Sequence, residues 1–175
     1  MKRVLSFLFI ILALLAVYTL LFYPTDTMPG EYTPPQTSEV ELAPDFTLTD
    51  LEGNEVTLSQ FRGEKNVYLN FWASWCGPCR QEMPDIEEVH REYKDKDLVV
   101  LTVNVGESQS TAQKFIEANG FTFPVLLDTE QKVSRQYKVS SIPVSYFIDK
   151  EGKIRAQRIG LLTKEQMLTY IEYLQ

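Results

Sequence analysis

Nineteen consecutive uncharged, largely apolar residues, Val4 to Phe22, follow Lys2 and Arg3 at the start of the chain. As a helix with about 1.5 Å rise per residue, such a run spans roughly 28 Å, close to a bilayer core of about 30 Å. A cleavable signal has a shorter apolar region and a small-x-small site. Tyr23-Pro24-Thr25-Asp26-Thr27-Met28 offers a poor one, and no cysteine lies nearby for lipidation. The pattern predicts a cytoplasmic tip at residues 1–3 and an uncleaved transmembrane signal-anchor at residues 4–22. Residues 23–41 hold Pro24, Pro29, Pro34 and Pro35 among Thr, Ser, Glu and Gly. With few large apolar groups to pack, they read as a flexible tether. In a polyproline conformation of about 3.1 Å per residue it reaches roughly 60 Å.

From residue 42 the pattern becomes that of a folded domain ending at residue 175. Phe46 to Thr49 alternates like a strand, and Asp50-Leu51-Glu52-Gly53-Asn54 carries turn chemistry. Val56 and Leu58 lead to a helical turn near Ser59 to Phe61. Strands are predicted at Asn66–Phe71, Leu98–Val105, Pro124–Leu127, Val144–Ile148 and Lys153–Gly160. The second of these is almost continuously apolar, as in a strand buried on both faces. Helices are predicted from about Cys76 to Tyr93, at Ser110–Asn119 with Gly120 as the stop, and at Lys132–Tyr137. A last helix, capped by Thr163, turns Met167, Leu168, Ile171 and Leu174 inward. This order predicts an α/β fold, a central mixed β-sheet flanked by helices.

Charge gives orientation and excludes partners. The formal net charge is −7, and every acidic residue lies beyond residue 23. After Arg3 no Lys or Arg appears until Arg62. The positive-inside rule therefore puts the N-terminus in the cytoplasm and the domain on the extracytoplasmic side of the cell membrane. An acidic domain is a poor partner for nucleic acid or anionic lipid.

The chain holds two cysteines, Cys76 and Cys79, and one histidine, His90. Two cysteines three residues apart close too small a loop to staple a fold. Zinc needs four ligands, so neither metal nor other cofactor is expected beyond a redox-active Cys76–Cys79 pair. Trp75-Cys76-Gly77-Pro78-Cys79 follows a strand and opens a helix. In the first turn, free N–H groups and the helix dipole favour a thiolate, so Cys76 is the expected attacking sulfur. Cys79, one turn deeper, is the expected resolving sulfur. Gly77 lets a substrate backbone approach, and Pro78 is tolerated in a first turn. Glu82 shares a helix face with Cys79 and is a candidate acceptor for its proton; the alternative is a solvated helix acid. Pro84 should kink the helix. Trp72 and Trp75 are expected to shield the sulfurs, with core packing as the alternative. His90 is given no role.

Ala43-Pro44-Asp45-Phe46, the run Leu69 to Cys79, Glu82, Pro84, Val103 to Ser108, Ile142-Pro143 and Asp149-Lys150-Glu151-Gly152 resemble the thioredoxin superfamily, specifically its membrane-anchored ResA/TlpA-type branch. The resemblance covers residues 43–175. It implies a thioredoxin-like fold with an N-terminal β-hairpin extension, and a thiol–disulfide oxidoreductase working as a protein-disulfide reductase. It implies that Pro143 is a cis proline facing the cysteines and that Ile142, Pro143, Trp75, Gly77 and Pro78 meet the substrate. It implies proton handling by Glu82. The implied partners are a disulfide-bearing client, apocytochrome c in cytochrome c biogenesis, and a membrane electron donor of the CcdA type, with a monomeric chain. Other envelope or spore-assembly clients, a thiol peroxidase, an oxidase and a redox-inert binding module are the alternatives. The opening tetrapeptide also resembles peroxiredoxins, but Cys76 stands where their threonine would precede Cys79. Two departures narrow the reading. Asn70 replaces the buried aspartate of ordinary thioredoxin, which removes that proton route. Gly77-Pro78 is the thioredoxin form, whereas ResA has a glutamate before the proline.

Overall fold

The computed structural model describes residues 41–174. The expected anchor at 4–22 and residues 23–40 of the tether lie outside the described residues. Among the described residues no helix is long and apolar enough to cross a membrane. Glu41, placed in the tether by the sequence, already accepts a hydrogen bond from Ile154 N at 2.9 Å.

The elements are β1 Thr47–Asp50, β2 Glu55–Thr57, a 3-10 turn Leu58–Phe61, β3 Asn66–Trp72, α1 Gly77–Tyr93, β4 Leu98–Val105, α2 Gln109–Asn119, β5 Val125–Asp128, α3 Lys132–Gln136, β6 Val144–Ile148, β7 Ile154–Ile159 and α4 Lys164–Glu172. One sheet joins all seven strands in the order β2-β1-β5-β4-β3-β6-β7. β3, β4 and β5 run parallel, and the other pairings are antiparallel. This mixed sheet with its helices is the thioredoxin-like α/β fold.

The strands alternate between two packed faces. Val67, Leu69 and Phe71 of β3 join Leu101, Val103, Val144, Tyr146, Ile148 and Tyr137 in one apolar core. Tyr68, Asn70 and Trp72 point to the opposite face. There Tyr68 stacks on Phe147 at 4.8 Å, and Phe147 stacks on Tyr170 of α4 at 4.7 Å. α1 packs on α4 and β4. Every residue of β3 is buried, because helices or loops cover both sides of the central strands.

Some expectations shift in detail. α4 turns Tyr170 inward with Met167 and Ile171, while Leu168 is only half-buried. The Thr163 cap forms a full capping box with Gln166. Gly120 ends α2 in the left-handed conformation. α1 runs unbroken through Pro84 to Tyr93.

Candidate active site

Cys76 ends the segment after β3 and is the N-cap of α1, one position outside the first turn where the sequence pattern put it. Its backbone is extended, and its sulfur accepts from Cys79 N at 3.2 Å. That N–H is one of the orphan donors of the helix start and favours negative charge on the sulfur once the pair is reduced. Pro78 sits in the first turn, where its missing N–H costs nothing. Cys76 and Cys79 form a disulfide with Cα atoms 5.3 Å apart. Cys79 is fully buried, while Cys76 keeps a small exposed edge (5%). Gly77 and Pro78 are exposed beside it.

The Ile142–Pro143 peptide bond is cis. The Ile142 carbonyl oxygen lies 3.7 Å from Cys76 Sγ. Pro143 O accepts from Gly160 N at 2.8 Å, which ties this loop to the end of β7. The two tryptophans part company. Trp72 is fully buried, against Phe115 at 5.5 Å, whereas Trp75 is 70% exposed. Trp72 is therefore a core residue of the sheet, and Trp75 stands at the surface next to Cys76.

Glu82 lies on the inner side of α1, only 1% exposed. Its Oε1 accepts from Asn70 Nδ2 at 2.8 Å and its Oε2 from Leu162 N at 3.0 Å. Burial pushes its pKa up to about 7; the two hydrogen bonds oppose this, and the Asp85 charge adds to it. It is not a solvated helix acid, because α4 and the segment leading into it cover that face. Its proton equilibrium is poised near neutrality, where a base can both take and release a proton.

The sequence pattern assigned no role to Glu107. Its carboxylate accepts from Ser74 N at 2.7 Å, Ser74 Oγ at 2.6 Å and Asn104 Nδ2 at 2.7 Å. It braces the turn leading into Trp75 and Cys76 from the end of β4. Its only sequence signal was its place in the Val103 to Ser108 segment. Among the described residues no cluster of His, Cys, Asp and Glu could hold a metal ion.

A disulfide at a helix N-terminus, beside a cis-proline loop on a thioredoxin-like sheet, decides the family when set against known proteins. The AhpC/TSA family model matches residues 40–157. ResA of Geobacillus kaustophilus (strain HTA426), named a thiol-disulfide oxidoreductase, is 44% identical over 130 residues, covering 74% of either chain. The chain belongs to the AhpC/TSA family and, within it, to the ResA thiol–disulfide oxidoreductases. Solved structures agree. The pneumococcal exposed lipoprotein thioredoxin Etrx1 of Streptococcus pneumoniae strain TIGR4 is 37% identical with a TM-score of 0.64, covering 75% of this chain and all of that one (100%). StoA from Bacillus subtilis is 28% identical with a TM-score of 0.65, covering 74% of this chain and 97% of its own. As a ResA-type enzyme the chain is a thiol–disulfide oxidoreductase, and its only two cysteines, Cys76 and Cys79, are joined in the disulfide at the start of α1.

Proposed function

We propose that this oxidoreductase reduces disulfides in client proteins outside the cytoplasm, held at the membrane by residues 4–22. The observation that carries the reading is the capped Cys76 sulfur beside Ile142 O, with the buried Glu82 on the same helix as Cys79. The pair begins reduced, Cys76 as the thiolate and Cys79 as the thiol. The Cys76 thiolate attacks one sulfur of the client disulfide, and the other client sulfur leaves and takes a proton. Cys79 then passes its proton to the Glu82 carboxylate and attacks Cys76. The remaining client thiolate leaves, and the Cys76–Cys79 disulfide forms. Two electrons pass from the pair to the client. A membrane thiol donor of the CcdA type returns the pair to its reduced form by the same exchange in reverse.

An extended client chain pairs with the backbone at Ile142, since Pro143 offers no N–H to compete. Trp75, Gly77 and Pro78 form the exposed ground on which it lies. Lys2 and Arg3 before the apolar run support the extracytoplasmic placement, as does the likeness to an exposed lipoprotein thioredoxin. Likeness to ResA supports apocytochrome c as the client, whose haem-attachment cysteines must be reduced. The Gly77-Pro78 dipeptide, unlike the ResA form, favours as second reading another envelope or spore-assembly client. A thiol peroxidase is disfavoured because Cys76, a sulfur bonded to Cys79, occupies the place of the threonine that chemistry needs.

Equilibration of the full-length chain with glutathione and dithiothreitol buffers tests the direction of electron flow. A reduction potential near that of thioredoxin, about −270 mV, supports a reductase, and one near −120 mV makes the chain an oxidant. Normal holo-cytochrome levels in a deletion strain would remove apocytochrome c as the client.

A further inference from the structure

Beyond Glu82, a buried polar chain runs into the sheet. Asn70 Nδ2 donates to Glu82 Oε1 at 2.8 Å and to Ser145 Oγ at 3.1 Å. Ser145 Oγ lies 3.3 Å from the Tyr68 hydroxyl. Tyr68, Asn70 and Ser145 are wholly buried. Register creates the cluster. Asn70 of β3 lies directly opposite Ser145 of β6, and Tyr68 is two residues before Asn70 on the same face. The thiol exchange above uses Glu82 but neither Ser145 nor Tyr68.

An asparagine side chain carries two N–H donors and one carbonyl acceptor. In Asn70 both acceptors in reach face the nitrogen, while Oδ1 is buried with no hydrogen-bond partner. This orientation suits a charged Glu82, which only accepts. A neutral Glu82 would carry an O–H and would be matched by an amide turned half around, with Oδ1 accepting. What holds the amide as it stands is the second acceptor, Ser145 Oγ. The Tyr68 oxygen can accept a hydrogen bond from the Ser145 hydroxyl, leaving the serine lone pairs for Asn70.

We infer that Ser145, steadied by Tyr68, is a positioning residue for the proton step: it keeps Asn70 donating to Glu82 and so holds that carboxyl as a charged acceptor for the Cys79 proton. The inference rests on the proposed role of Glu82. The other groups facing Glu82 are Asp85 on α1, the Tyr68 phenol on β3 and the Leu162 N–H ahead of α4. The Lys164 ammonium is engaged by Glu88 and Glu92, and its backbone N–H by Asp85.

The test uses the full-length chain with its disulfide formed. The infrared carbonyl band of protonated Glu82, assigned by its loss in Glu82→Gln, is followed against pH. Ser145→Ala and Tyr68→Phe should each move its midpoint upward by about half to one pH unit, the worth of one hydrogen bond. Ser145→Thr, which keeps the hydroxyl, should restore it. Tyr68→Phe keeps the ring stacked on Phe147, so folding is retained. The pH profile of mixed-disulfide resolution, measured in the same variants, should move in the same direction. An unmoved Glu82 midpoint in both Ser145→Ala and Tyr68→Phe overturns the positioning role. A moved midpoint with an unmoved resolution profile upholds that role and overturns Glu82 as the acceptor of the Cys79 proton.

Discussion

Ile142 and Cys76 meet across 66 positions of chain: the carbonyl oxygen of one lies 3.7 Å from the sulfur of the other. No local pattern joins them. β6 delivers Ile142-Pro143 beside β3, and β3 delivers Cys76, so the antiparallel β3–β6 register is what brings the two together.

The two cysteines should fail differently when replaced. Cys76→Ser removes the attacking sulfur and should lower reduction of a disulfide-bonded peptide by at least about a thousandfold. Cys79→Ser keeps attack but cannot resolve it. A client-linked adduct should then accumulate, visible as a reducible band on a non-reducing gel. Adduct formation by Cys76→Ser instead would reverse the assignment.

Glu82 gives the domain an unusual pH dependence. Its pKa rises from 4.5 to about 7 on folding, chiefly through burial. Across that window the folded state holds a proton the unfolded chain has released, so the stabilisation present below pH 4.5 is lost as pH rises through 7. The loss is on the order of 3 kcal/mol. Glu82→Gln should flatten this slope and leave the protein more stable than wild type at pH 8, as read by urea denaturation. The same variant should slow mixed-disulfide resolution, while the wild-type rate should climb with pH and level off above about 7.

The tryptophans should separate stability from client binding. Trp72→Ala empties a fully buried site and should cost about 3–5 kcal/mol in denaturant unfolding. Trp75→Ala removes a side chain that is 70% exposed and should change stability by less than about 0.5 kcal/mol. Its effect should appear as a several-fold rise in KM for a peptide disulfide.

Glu107 should matter to the reactive turn although it touches neither sulfur. Glu107→Ala leaves Ser74 N, Ser74 Oγ and Asn104 Nδ2 without their acceptor. Stability should fall by about 2 kcal/mol. Amide hydrogen exchange should show faster opening at Ser74 with little change in α4; unchanged exchange at Ser74 would remove the bracing role.

Much of the fold is legible in local periodicity. Val144–Ile148 and Leu98–Val105 match the observed strands at both ends, because continuous apolar runs between turn residues admit few alternatives. Gly120 and Thr163 mark helix ends through backbone chemistry that needs no distant partner. Tyr170 was missed and Leu168 overvalued because a short helix has a broad apolar face. Packing of Phe147 on Tyr170 chooses within it.

The sequence by itself determined the family, the strand and helix order, and the Cys76–Cys79 spacing, since these rest on motifs and periodicities local to each segment. The structure decided what surrounds the pair. It turned Glu82 inward beneath α4, raising its proton affinity by burial. It opposed Asn70 to Ser145 and brought Glu107 under Ser74. It buried one tryptophan and exposed the other. These relationships depend on which strands are neighbours and in which register, and neither is written in the periodicity of any single segment.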